Sequence, residues 1–207
     1  MPDDKNLNTV QQYVGDMVAL ESHIEEAIDR QVDDDQIKEH PQAAEAVRQF
    51  HSMVKGQREA LKSHLQRIGG SEPGPLKSGI AGLFGMAAGA IDKVRAEKVS
   101  KALRDDFTAF NHAAMGYAML HTTAHALGQQ GTMDLADRHL RAYAKAVQQI
   151  NQMIPDVVVW ELRKDGHPVD EQAIEHCTNA INQAWRDTSP SHAGATSGMP
   201  GMSTRAA

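Results

Sequence analysis

Residues 71–92 read SEPGPLKSGIAGLFGMAAGAID, and the fold turns on what this stretch does. Pro73 and Pro75 oppose a regular helix at its start, and the glycines that follow break any apolar period. The stretch is too long for a hairpin turn, so it reads as a crossover running along a bundle of helices. On its N-terminal side, Val10, Val14, Met17, Ile24 and Ile28 keep the i, i+4, i+7 spacing of one helix face. Glu21 stands in that stripe where an apolar residue is called for. Asp33-Asp34-Asp35 ends this first helix in a solvated turn. A second helix starts at Pro41, whose fixed φ suits a first turn. It carries Val47, Phe50 or His51, Val54, Leu61, Leu65 and Ile68, and stops at Gly69-Gly70.

Beyond the crossover a third helix runs from about Arg95 to Leu127. Val99, Leu103, Phe110, Ala113, Tyr117, Leu120, Ala124 and Leu127 share one face. Gly128 and Gly131 bracket a tight turn, and Thr132 is the expected N-cap of a fourth helix carrying Leu135, Tyr143, Val147, Ile150 and Ile154. Pro155 should kink that helix or begin a new one, because it removes the N–H that would bond the Asn151 carbonyl. Pro168 to Trp185 reads as a shorter fifth helix. The fold class is therefore all-α: a ferritin-like four-helix bundle with a long crossover between helices 2 and 3, plus a short C-terminal helix. The crossover makes helices 2 and 3 parallel, and the short turn makes helices 3 and 4 antiparallel. Residues 1–187 form the helical domain, and the Ser/Gly/Pro/Ala-rich residues 188–207 are expected to be a mobile tail.

Composition narrows the class further. The chain has 207 residues, 21 Lys+Arg against 27 Asp+Glu and a net charge of −6, which argues against a nucleic-acid binder. One cysteine, Cys177, excludes an intrachain disulfide and a cysteine-based zinc site. The N-terminal MPDDKNLNTV has no basic and apolar signal pattern, so a cytoplasmic location is expected. The longest stretch free of both charged residues and histidine, Ser78 to Ile91, is shorter than the ~18–20 residues of a membrane span. Aromatic residues make up only 4%, so the core must be aliphatic and rich in Ala and Met, which suits helix packing.

A bundle of this kind holds two metal ions when Glu from two helices and Glu-x-x-His from the other two point inward, because carboxylates must neutralise the buried cations. Helix 1 supplies Glu21, read either as a metal ligand or as a carboxylate paired with an inward partner such as Arg58 or a histidine. Helix 2 offers Met53, Val54 and Gln57 at inward positions, and Glu59 and His64 lie on different faces. Helix 3 contains no acid after Asp106, and helix 4 none at mid-height after Asp137. Three of four helices thus lack mid-height carboxylates, and a dimetal centre is not expected to assemble.

Asp16-Met-Val-Ala-Leu-Glu21-Ser-His-Ile24, Gly56-Gln57-Arg-Glu59-Ala-Leu61, Gly79-Ile-Ala-Gly-Leu83 and Asn111-His112 together carry a resemblance. Over roughly residues 10 to 165 the chain resembles the YciE/YciF-like branch of ferritin-like proteins. That resemblance implies a paired-helix bundle, often dimeric, with a carboxylate/histidine dimetal site and a loosely defined role in stress. Glu21 matches the helix 1 acid and Gln57 a Gln-or-His position in helix 2. His112 matches the histidine after the family's helix 3 acid, but that acid is Asn111 here. The helix 2 acid falls near Met53/Val54, and a Glu-rich stretch of helix 4 has become Ala142-Tyr-Ala-Lys145.

Other constellations are thin. His121 and His125 lie one turn apart, and His139 is about level with His121 across the hairpin, so these three are candidate metal ligands. Cys177 and His176 are adjacent on a helix and point about 100° apart, which excludes a nucleophile–base pair. Asp33–Asp35 and Asp105-Asp106 read as solvated helix ends, the latter pairing with Arg104 or Lys101. The expectation is a non-catalytic ferritin-like scaffold without cofactor. Its partner is expected to be a second copy, with another protein as the alternative and neither nucleic acid nor a membrane span. An exposed fifth helix bearing Ile174, Ile181 and Trp185 favours a dimer. The competing reading is an iron- or zinc-binding protein or oxidase using Glu21 with His51, or the His121/His125/His139 group.

Overall fold

The computed structural model describes residues 2–71 and 98–187. These form six helices: α1 (Pro2–Val32), α2 (Asp35–Lys38), α3 (Pro41–Arg67), α4 (Val99–Ala126), α5 (Gln130–Lys164) and α6 (Gln172–Asp187). The architecture is an all-α bundle, and among the described residues no helix is long and apolar enough to cross a membrane. The helical stripes form its core. Val10, Val14, Met17, Ile24 and Ile28 of α1 pack with Val47, Phe50, Val54, Leu61 and Leu65 of α3, and with Leu103, Phe110, Ala113, Tyr117, Leu135, Tyr143, Val147 and Ile150 of α4 and α5.

Polar contacts fix the helix directions. Gln11 donates to the Ile68 carbonyl at 2.6 Å and Arg58 meets Glu25 at 2.8 Å, so α1 and α3 are antiparallel. Lys98–Asp165 and Phe110–Tyr143 set α4 against α5 in the same way. Gln31 donates to Asp106 at 2.8 Å, making α1 and α4 antiparallel; α3 and α4 are therefore parallel, with Phe50 and Phe110 in edge contact at 5.0 Å. The end of α3 and the start of α4 lie at opposite ends of the bundle, as a crossover between them requires. The crossover stretch itself, helix 3 upstream of Lys98 and the 188–207 tail lie outside the described residues.

Several boundaries differ from the sequence reading. The first helix begins at Pro2, ahead of Val10, since Pro2 and Asp4 suit a first turn. The acidic run does not end in a plain turn: the Asp34 carboxylate accepts from the Gln36 and Ile37 N–H groups and caps the short α2. His40 Nδ1 caps α3, accepting from Ala43 N–H at 3.2 Å. Thr132 is not the N-cap of α5, which starts at Gln130; its hydroxyl instead meets His64 Nε2 at 2.7 Å in the buried α3–α5 contact. Pro155 neither ends α5 nor starts a new helix. The helix continues to Lys164, with Pro155, Val157 and Val159 all buried, so packing outweighs the one missing hydrogen bond. The final helix begins at Gln172 rather than Pro168. Asp105 does bond Arg104 at 2.8 Å, but Asp106 is 3% exposed rather than solvated, and burial pushes its carboxyl up to about 7. At Gly128, φ is +70° and Gln129 N–H reaches back to the Ala124 carbonyl, a left-handed close that favours glycine between α4 and α5.

The start of α4 depends on a side chain from the far end of α5. Buried Glu161 accepts from Ser100 N–H at 2.8 Å and from the Ser100 hydroxyl at 2.6 Å, and Lys98 offers no side-chain cap of its own. Glu161→Ala should therefore cost about 1–3 kcal/mol in urea unfolding. Gln152→Ala, at an exposed position of the same helix, should stay within about 0.5 kcal/mol.

Candidate functional site

Glu21 sits at the centre of the bundle with no exposed surface. A carboxylate placed there must find donors or take up a proton. It does not pair with Arg58, as the stripe position suggested, because Arg58 turns outward to Glu25 and Glu59. Among the described residues no histidine bonds it directly either. Its two oxygens accept from two tyrosine hydroxyls, Tyr117 of α4 on Oε1 and Tyr143 of α5, at 2.5 Å, on Oε2. The tyrosine rings stack with centroids 5.8 Å apart. His139 Nδ1 lies 3.0 Å from the Tyr117 hydroxyl, its ring edge-on to Tyr117. Three helices thus converge on one carboxyl group.

The hydrogens in this cluster can be arranged in two ways. With Glu21 ionised, both tyrosines donate to it and His139 Nδ1–H donates to the Tyr117 oxygen. With Glu21 neutral, its own proton can bond the Tyr117 oxygen, and the Tyr117 hydroxyl then donates to an unprotonated His139 Nδ1. The charge on Glu21 and the tautomer of His139 are therefore linked. Burial pushes the Glu21 carboxyl from 4.5 up to about 7, opposed by the two tyrosine bonds and reinforced by the Glu25 charge. Burial, helped by the Arg138 charge, pulls His139 down to about 4. Both tyrosines are held well above their ordinary range, first by burial and then by the neighbouring Glu21 charge.

The remaining sequence candidates are dispersed. His139 is buried in the tyrosine cluster, whereas His121 is half-buried and His125 exposed. Among the described residues, neither these three nor Glu21 belongs to a group of three His, Cys, Asp or Glu donors within 4.8 Å of one another. Asn111 is turned back to the Phe107 carbonyl at 2.8 Å, and His112 is on an exposed position. Gln57 is buried with its carbonyl oxygen unbonded, and Val54 is buried beside half-buried Met53. Cys177 is exposed. The residues that sequence reasoning missed are Tyr117 and Tyr143. Both stood on core stripes, and a buried tyrosine hydroxyl needs a partner, which an inward Glu21 supplies.

Known proteins add the following. The family described as "Domain of unknown function (DUF892)" matches residues 11–163. The chain is also similar to a crystal structure of a protein from Xanthomonas campestris pv. campestris. That likeness has a TM-score of 0.64 at 13% identity, over 79% of this chain and 99% of the other, and at that identity it speaks to the fold alone. No curated protein matches.

The cluster makes a pH-dependent prediction. A buried acid whose pKa is raised in the folded state binds its proton more tightly there than when unfolded. Its contribution is therefore intact below about 4.5, declines as pH rises to about 7, and is flat above that. Urea unfolding of the wild type and Glu21→Gln from pH 4.5 to 8 should show the wild type losing about 3 kcal/mol relative to the variant. Tyr143→Phe, which strips a donor from Glu21 Oε2, should cost about 1–3 kcal/mol at pH 8.

Proposed function

We propose that this chain, which belongs to the DUF892 family, is a non-catalytic ferritin-like bundle that has lost its dimetal site and serves as a self-associating scaffold. The helix order, the parallel α3–α4 pair and the antiparallel α4–α5 pair support the ferritin-like reading. The observation that carries the loss is the state of Glu21: both of its oxygens accept hydrogen bonds from Tyr117 and Tyr143. The surrounding aromatic ladder of Phe50, Phe110, Tyr143 and Tyr117 offers no further carboxylate. Two iron ions at mid-height need several carboxylates for neutralisation. The residues present do not fit that group. The two phenols do for Glu21 what a cation would otherwise do.

Self-association is the part of the proposal that gives the scaffold a use. Met115 is 63% and Met119 51% exposed on the outward face of α4, where they line a shallow depression with Tyr13 of α1. We place the dimer face on α4 rather than α6, because Ile174 and Ile181 are half-buried and Trp185, though 46% exposed, packs edge-on against Phe107. A second copy meeting the first across α4 would give a self-complementary contact.

Two experiments test this. After anaerobic loading with ferrous iron and desalting, elemental analysis should find no iron whose retention depends on Glu21. Two irons per chain that vanish in Glu21→Gln would support the metal-binding alternative instead. Light scattering should find a dimer for the wild type and a monomer for Met115→Lys/Met119→Lys; an unchanged mass in the double variant removes α4 as the interface.

A further inference from the structure

We infer that the α1–α3 face carries a divalent transition-metal site built from Glu25, Asp29 and His51, separate from the bundle interior. Glu25 and Asp29 lie one turn apart on α1, and His51 faces them from the antiparallel α3. One donor atom from each lies within 4.8 Å of the other two. The three also grade from core to solvent. Glu25 is 6% exposed, while the His51 and Asp29 side chains are 26% and 58% exposed. An ion held by them would rest at the edge of the bundle with a position open to water.

A second observation concerns a buried oxygen that is ion-paired but makes no hydrogen bond. Glu25 Oε2 is buried and has no hydrogen-bond donor. Arg58 Nη1 comes to 2.8 Å of it but out of hydrogen-bond alignment, because Arg58 directs Nε and Nη2 to Glu59 Oε1, at 3.3 and 3.0 Å. Glu25 thus has a charge neighbour and a spare lone pair. Asp29 Oδ1 and His51 Nε2, in turn, are 2.6 Å apart and share one proton. A metal ion takes the place of that proton, which passes to solvent, and draws the Glu25 oxygen into the set. Two carboxylate oxygens and one imidazole nitrogen suit zinc and its neighbours, which accept mixed O and N ligands. A hard cation would prefer oxygen ligands throughout. The site differs from the one expected with His51, which paired it with Glu21; the register of α1 against α3 offers His51 the next turns of α1 instead.

The test uses the full-length untagged protein and two probes, cobalt(II) followed by visible absorption and zinc(II) followed by calorimetry. One cobalt per chain should bind, with ligand-field bands that zinc abolishes. His51→Ala and Asp29→Asn should each weaken binding by about tenfold or more while leaving the far-ultraviolet circular dichroism unchanged; Asp29, being exposed, is the safer variant for folding. Glu21→Gln should bind as the wild type does. The inference is overturned by the absence of saturable binding, by binding that His51→Ala and Asp29→Asn leave unaltered, or by binding that Glu21→Gln abolishes.

Discussion

A carboxyl group at the centre of a helical bundle is tolerated only if something there replaces the water it has lost. In this protein the replacement is a pair of phenols. Tyr117 and Tyr143 arrive from two helices and grip the two oxygens of Glu21 from a third. The same contact that satisfies the carboxyl therefore ties the α1–α3 pair to the α4–α5 pair. Gly116 assists by its size. A Cβ at that position would fall 2.7 Å from Met17 Sδ, so α1 can approach α4 closely beside Tyr117. With so few aromatic residues in the chain, placing Phe50, Phe110, Tyr143 and Tyr117 in one continuous ladder concentrates the bulky packing around this single polar group.

Two kinds of polar group stand out elsewhere in and around the core. Glu161, Gln11 and His40 each serve a helix end: Glu161 bonds the first turn of α4, Gln11 takes the Ile68 carbonyl after α3, and His40 caps the start of α3. Their role is to close backbone groups that a helix leaves open. Glu25, Asp106 and Gln57 are different, each retaining a buried oxygen without a donor. Asp106 meets the problem as Glu21 does, by holding its proton more tightly. Glu25 is instead ion-paired with Arg58 and lies beside Asp29 and His51, which reach toward solvent.

Local patterns made much of this legible in the sequence. The long helices follow from apolar residues at helical spacing, and the parallel second and third long helices follow from the length of the Pro/Gly-rich connection. Glu21 was visible as the one acid inside an apolar stripe. Its partners were not, because they lie 96 and 122 residues away and pairing over that distance is decided by how two hairpins dock. Asp105 and Asp106 looked alike as neighbours, yet about 100° of helix rotation separates them, which sends one to solvent and the other inward. Pro155 begins no new helix for a related reason: the rule is local, and the buried Val157 and Val159 downstream gain more by continuing the helix than one hydrogen bond is worth. The triplet of Glu25, Asp29 and His51 escaped notice because it depends on the register between α1 and α3, which spacing within either helix does not reveal.

A tyrosine-held, proton-binding Glu21 is tested most directly at the carboxyl carbon of that residue. In metal-free protein labelled with 13C-glutamate, the signal absent from Glu21→Gln should titrate with a midpoint near pH 7. A midpoint in the ordinary carboxylate range, near 4.5, would contradict it.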